Sequence, residues 1–197
     1  MSAKKKTLSL VELIIAIALL GVIVLGAFSF DIGSRHLLRA SETKTQVLNE
    51  ATLVLDYITK DALRGIGDMI DPALSIDNAG FLLIKQDGDP DNGVLGNGIR
   101  DVSNAVDHVI AYGLNNNTDI IRCNITVNPP VINPAACQVL SRRAINAGFV
   151  MTPNPIVDNT AHISVTLRFN PAQARDAFNN PQVTAQTDIE VPGQSLN

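Results

Sequence analysis

The feature that most constrains this chain is an apolar run over residues 8–30, LSLVELIIAIALLGVIVLGAFSF, in which Glu12 is the only charged side chain. A helix of this length is about 35 Å long, enough to cross the hydrocarbon core of a bilayer. A secretory signal peptide has a shorter apolar core that ends at a small-residue cleavage site. The run therefore predicts a membrane-spanning helix.

The charges before this helix predict its orientation. Lys4, Lys5 and Lys6 come just before the apolar run. Basic residues near a membrane span stay on the cytoplasmic side. We therefore expect the N-terminus inside and residues 31–197 outside the cytoplasm.

Glu12 is the residue of this segment that most needs a physical explanation. A carboxylate at the centre of a membrane helix costs about 3 kcal/mol on insertion scales, so it is retained mainly where it has a partner or a function. A snorkelling glutamate is the alternative, because Glu12 lies only a turn or so inside the apolar run.

The segment KKKTLSLVELIIAIALLGVIVLGAF resembles the prepilin N-terminus of bacterial type IV pilins and type II secretion pseudopilins. Aligning Glu12 with the glutamate at the fifth mature position of that family makes residues 1–7 a basic leader. The resemblance then implies cleavage between Thr7 and Leu8 by a prepilin peptidase, and N-methylation of Leu8. It also implies that Glu12 pairs with the N-terminal amine of a neighbouring subunit. Thr7 stands where the family has glycine.

A second, amphipathic helical half is predicted for residues 31–68. Apolar residues recur there at spacings that place them on one helical face: Val47, Leu48, Ala51, Val54, Leu55, Ile58 and Ala62. No proline precedes Pro72, and Gly65 and Gly67 are stop signals. One continuous helix is therefore expected from about Leu8 to about Arg64.

Residues 69–197 are predicted to form a β-rich head. Apolar and polar residues alternate over 162–169 and again over 183–191, and further strands are expected at 81–85, 108–112, 120–125 and 138–142. The asparagine run at 115–117 suits a tight hairpin turn. These patterns predict an α+β fold in which an antiparallel sheet packs on the helix, which is the pilin-like arrangement.

The order of the predicted strands supplies a second resemblance. IAYGLNNNTDIIR, then QVL, then ISVTLRF and a last alternating strand resemble the larger minor pilins and the J-type minor pseudopilins. This resemblance favours a minor, low-copy subunit over a major one.

An acidic segment, QDGDPDNG, has the spacing of a calcium loop. Asp87, Asp89 and Asp91 alternate there, and Asp101 closes the site if the loop folds back. Hard oxygen ligands at this spacing can converge on Ca²⁺. The alternative is a solvated acidic turn, because Asp, Asn, Gly and Pro are common turn residues.

Two cysteines, Cys123 and Cys137, lie in a proline-containing stretch at a spacing that suits neither a zinc knuckle nor a CxxC redox site. A disulfide between them is expected if the head lies outside the cytoplasm, and two free buried thiols are the alternative.

Charge and motifs argue against other function classes. The formal net charge is -4, and removal of the three leader lysines makes it -7, so nucleic-acid binding is not expected. His36, His108 and His162 are far apart in sequence, and no GxSxG, HExxH or phosphate-binding loop is present, so an enzyme is not expected.

The expected function is structural: a subunit of a type IV pilus or type II secretion pseudopilus. The resemblance implies other subunits, the prepilin peptidase and an inner-membrane assembly platform as partners, and a bacterial inner-membrane location before assembly. The alternative, which Thr7 favours, is a membrane-anchored calcium-binding recognition domain that does not polymerise.

Overall fold

A computed structural model of the chain describes residues 10–66, 73–86, 108–125, 132–157 and 160–191. Helix α1 spans Leu10–Ala62, which is about 80 Å at 1.5 Å per residue. It ends where the Gly65 amide donates a hydrogen bond to the Ala62 carbonyl at 2.8 Å. The prediction of one uninterrupted helix is confirmed over the described residues, and its last residue lies two positions before the predicted end.

Eight strands follow the helix and form two antiparallel sheets. Sheet A has the order β1-β2-β3-β4-β5 and sheet B the order β6-β7-β8. The strands are β1 Leu74–Ile76, β2 Leu82–Gln86, β3 His108–Asn115, β4 Asp119–Ile125, β5 Gln138–Ser141, β6 Ala144–Val157, β7 Thr160–Arg168 and β8 Gln182–Glu190, and a 3₁₀ turn covers Pro134–Ala136. The coarse α+β arrangement is therefore confirmed.

The prediction of a single sheet is wrong. Strand β5 is only four residues long, and its pairing with β4 shifts register between Ile120 and Ile121. The chain then leaves sheet A and begins β6 in sheet B after two residues, Arg142 and Arg143. A bulge shortens the β4–β5 ladder, and the short link allows the change of sheet.

Strand β6 was not predicted because its sequence lacks alternation and contains Gly148, Pro153 and Pro155. Its pairing with β7 shifts register twice, and Ala147 has a positive φ of 56°. Proline is tolerated in strands at sheet edges and bulges, and β6 is at the edge of sheet B.

The predicted asparagines form the turn between β3 and β4. Asn116 and Asn117 have φ values of 52° and 62°. Positive φ at both central residues is the requirement of a type I′ turn, and asparagine tolerates this conformation better than most side chains. This prediction is confirmed.

The outer half of α1 packs on the head through the predicted apolar stripe. Six of its seven residues are buried, together with the inward row of β7: Val47, Ala51, Val54, Leu55, Ile58, Ala62, Ala161, Ile163, Val165 and Leu167. Leu48 is the exception, with 43% of its surface exposed. The core therefore lies between α1 and the two sheets.

Sheet A also has a second apolar cluster, separate from the core against α1. It comprises Leu83, Ala111, Ile121, Cys123 and Ile125, and Ile132 and Cys137 pack against it. The segment that carries the second cysteine therefore covers part of this face.

Candidate functional site

The N-terminal half of α1 has an apolar surface that the head does not cover. Between Leu10 and Phe30, 14 large apolar side chains are exposed, from 43% at Val24 to 78% at Phe30. Covering them even in part is worth on the order of 20 kcal/mol, which exceeds the net stability of an ordinary domain. This surface therefore needs lipid or other protein around it.

This segment is long and apolar enough to cross a membrane. Glu12 lies in the first described turn of α1, on the exposed surface. The predicted processing residues, Thr7 and Leu8, lie outside the described residues.

A helical spacer, residues 31–46, separates the apolar half from the head. The first buried residue of α1 is Val47, so the spacer is about 24 Å long. Arg35 Nε lies 3.0 Å from Asp31 Oδ2 in an exposed pair one turn apart. The spacer holds the head away from the apolar half.

A buried polar cluster joins the end of α1 to sheet A. Asp61 Oδ2 accepts a 2.7 Å hydrogen bond from Arg122 Nε and another from the Tyr112 hydroxyl. Arg122 Nε also lies 3.1 Å from the Tyr112 oxygen, and Gln86 Nε2 donates to the Asp61 carbonyl at 2.7 Å. These contacts fix the helix end to β2, β3 and β4.

Two groups of this cluster, Tyr112 and Arg122, have raised pKa values. Burial raises the pKa of the Tyr112 hydroxyl, and its hydrogen bond to Asp61 raises the pKa further. The hydrogen bond to Asp61 also raises the pKa of the Arg122 guanidinium. Tyr112 therefore stays protonated and Arg122 stays charged beside the carboxylate.

We expect the raised pKa of Tyr112 to appear as a loss of stability at alkaline pH. As pH rises through about 10, the unfolded chain loses this proton while the folded chain keeps it, so the free energy of unfolding falls by up to about 1.4 kcal/mol per pH unit. Urea unfolding of the full chain in detergent micelles, followed by circular dichroism between pH 9 and 11, measures the slope. Tyr112→Phe removes this part of the slope and Tyr57→Phe keeps it. Equal slopes in wild type and Tyr112→Phe would contradict the account.

Sequence reasoning missed this cluster, although one signal was present. Asp61 falls three residues after Ile58 and seven after Val54, at a spacing that continues the apolar stripe. A carboxylate on a core-facing stripe predicts a buried partner. The partners Tyr112 and Arg122 lie on strands far along the chain, so the sequence did not identify them.

A second contact joins the helix to both sheets. Arg143, in the link between β5 and β6, has Nη1 3.4 Å from Glu50 Oε2. Its guanidinium carbon also lies 4.9 Å from the centre of the Phe169 ring, within cation–π range. The end of β7 therefore lies beside the part of α1 that contains Glu50.

The structure contains a disulfide between Cys123 and Cys137. It joins the end of β4 to the residue after the 3₁₀ turn, beside the second apolar cluster. The bridge therefore holds the chain that precedes β5 against sheet A.

Loss of this disulfide is expected to destabilise the head. In the chain-entropy account, closure of a loop of about 15 residues is worth about 3 kcal/mol. The double variant Cys123→Ser/Cys137→Ser should therefore unfold at lower urea than wild type under oxidising conditions, and reductant should lower the wild-type midpoint only. A wild-type midpoint that does not respond to reductant, although free thiols are released, would count against this role.

The outer face of sheet B carries a polar group around His162. His162 Nδ1 lies 2.7 Å from Asp188 Oδ1, beside a depression of about 360 Å³ also lined by Thr152 and Glu190. Asp188 is 88% exposed, so solvent screens this pair. Within the described residues, no group of three or more His, Cys, Asp or Glu side chains is placed to hold a metal ion.

The predicted calcium ligands Asp87, Asp89, Asp91 and Asp101 lie outside the described residues. The three histidines occupy separate elements, with His36 on the spacer, His108 at the start of β3 and His162 on β7. Comparison with protein-family models, with curated proteins and with solved structures gave no match.

Proposed function

We propose that this chain is a structural subunit of a type IV pilus or type II secretion pseudopilus, and that it assembles through the apolar half of α1. The proposal rests on one observation: α1 is a single continuous helix, but the head covers only one of its two halves. One half is anchored in a folded head, and the other exposes apolar side chains around its whole circumference.

The arrangement suits a subunit that first waits in a membrane and then joins a filament. The same apolar surface can contact lipid tails or the apolar helices of neighbouring subunits, so transfer between the two exchanges one apolar environment for another. The spacer leaves room between the head and the apolar segment. In this proposal Leu8 is the first mature residue and Glu12 meets the terminal amine of the next subunit.

The membrane orientation belongs to the same proposal. The N-terminus lies in the cytoplasm and the head lies outside, in the bacterial inner membrane before assembly. The disulfide is consistent with a head that folds in an oxidising compartment. Partners in this reading are other pilin-like subunits, the prepilin peptidase and the inner-membrane assembly platform.

Mass spectrometry of the N-terminus in native membranes tests the proposal. The expected mature chain begins with N-methylated Leu8. A chain that keeps Met1 and the leader in cells with an active prepilin peptidase would favour the alternative, a membrane-anchored recognition domain that does not polymerise.

A further inference from the structure

Strand β8 forms an open edge of sheet B. It pairs with β7 over nine consecutive residues, from Gln182 opposite Arg168 to Glu190 opposite Thr160, without a register shift. Among the described residues no strand pairs with its other side. Alternate N–H and C=O groups of β8 therefore point away from the sheet, in the spacing that an added strand requires.

Over residues 182–187 this edge lacks the features that natural proteins use to prevent strand addition. Exposed edges are normally guarded by proline, by lysine, by a bulge or by an inward-pointing charge. Strand β8 has none of these, and over residues 182–187, QVTAQT, it carries no charge. Its two charged residues, Asp188 and Glu190, lie at its C-terminal end and are exposed.

The core is also incomplete beside this edge. The inward row of β7 is fully buried, whereas the inward residues Val183, Ala185 and Thr187 of β8 are only partly buried. Leu48 of α1 is exposed and lies on the helix flank opposite to Asp61 and Glu50, which contact the sheet A side. Helix α1 packs against β8, so Val183 and Ala185 form a partly exposed apolar rim of the core at this edge.

The direction of β8 follows from contacts at its two ends. Val191 Cγ1 lies 3.2 Å from the point where a Cβ on Gly65 would stand, just after α1 ends. At the other end the Phe169 amide donates to the Pro181 carbonyl at 3.0 Å, and Phe169 stacks with Arg143 at the level of Glu50. Strand β8 therefore runs in the same direction as α1.

We infer that the β8 edge binds an extended strand of a different polypeptide. Backbone hydrogen bonds to β8 supply the affinity, as in other cases of strand addition. Inward side chains of the added strand are apolar, because they cover Val183, Ala185 and Leu48. The residues of the added strand that lie beside Asp188 and Glu190 are Lys or Arg, because that end of the β8 edge is acidic.

Charge argues against pairing of the β8 edge with the β8 or β5 edge of a second copy of this chain. Two copies in one membrane have parallel helices, so their β8 strands would also be parallel and would bring the acidic ends together. Of the other strands at sheet edges, β1, β5 and β6, strand β5 runs from Gln138, opposite Arg122 near Asp61, to Ser141, close to the Arg143–Glu50 contact. If the helices of two copies are parallel, β5 of one copy runs antiparallel to β8 of the other. Arg142, which follows the end of β5, would then lie near Gln182 and far from Asp188.

Binding of short synthetic peptides to the full chain in detergent micelles tests this inference. The probe is a nine-residue fluorescent peptide of alternating Thr and Val, in which Lys replaces the two Thr that would lie opposite Asp188 and Glu190. It is made in both chain directions. The control peptide carries Glu in place of Lys. Fluorescence anisotropy should show saturable binding of the Lys peptide in one direction, and binding of the Glu peptide at least tenfold weaker.

Two variants locate the binding to the edge. Ala185→Lys places a charge on the inward side and should weaken binding at least tenfold. Thr184→Lys adds the same charge on the outward side and should change binding less than threefold. Thermal unfolding of both variants checks that the head is folded. Absence of binding to wild type, equal binding by wild type and Ala185→Lys, or self-association of the chain that Ala185→Lys abolishes would each overturn the inference.

Discussion

Glu12→Ala is expected to reduce assembly into filaments at least about a hundredfold while leaving the amount of chain in the membrane unchanged or higher. Alanine is more favourable than glutamate in a bilayer, so insertion does not suffer. In the proposed filament, however, loss of the carboxylate would leave the terminal amine of the adjoining subunit without its counter-charge. Breaking a buried pair in this way costs about 3 to 5 kcal/mol, and each 1.4 kcal/mol is a factor of about ten.

The measurement is quantitative immunoblotting of sheared filaments and of membranes from the same cells. Glu12→Gln keeps the size of the side chain and removes its charge, and should behave like Glu12→Ala. Glu42→Ala is the matched control, since Glu42 is an exposed glutamate on the spacer of the same helix. Filaments from Glu12→Ala cells at the wild-type level would show that the carboxylate has no role in register.

Asp61→Ala is expected to lower the stability of the head by about 3 kcal/mol. The substitution removes the acceptor for both Arg122 and Tyr112, and the side chain of Arg122 is only 25% exposed. A guanidinium left without its carboxylate in such a site is strongly destabilising. Urea unfolding of the full chain in detergent micelles, followed by circular dichroism, measures the change.

Two comparisons make this prediction specific. Asp31→Ala removes a carboxylate from the same helix with an arginine at 3.0 Å, but the pair is exposed, so a change below about 0.5 kcal/mol is expected. The triple variant Asp61→Leu/Tyr112→Phe/Arg122→Leu replaces the whole cluster with apolar groups and should recover most of the lost stability. An Asp61→Ala chain as stable as Asp31→Ala would show that the cluster does not hold the helix end.

The helix was predictable because its signals are local. An uninterrupted apolar run, the stripe that begins at Val47 and glycines after the last turn are all properties of neighbouring residues, and the C-terminal end of the helix follows from them to within two residues. The β3–β4 turn was predictable for the same reason, since Asn116 and Asn117 supply the conformation that the turn requires.

The arrangement of the strands was less predictable because it depends on pairings between distant residues. The division into two sheets rests on a bulge at Ile120 and a two-residue link, neither of which has a sequence signature. Strand β6 pairs at a sheet edge despite its prolines, because β7 supplies an alternating partner. Leu48 is exposed although its spacing places it on the apolar stripe.

The same distinction applies to the sites. Glu12 stands out in the sequence because its surroundings are apolar for 23 residues. Asp61 stands out only in retrospect, because its significance depends on Tyr112 and Arg122 reaching it from two strands. Local chemistry therefore identified the apolar helix and its glutamate, whereas the polar cluster that anchors the head required the tertiary structure.

Recovery of the chain from sheared filaments tests the central claim, assembly through the apolar half of α1, most directly. The chain and its assembly system are expressed together, filaments are sheared and purified, and the N-terminus of the chain in them is determined by mass spectrometry. The account predicts that the chain is present in the filament fraction and begins with N-methylated Leu8. Finding it only in the membrane fraction, while the same cells make filaments, would contradict the account.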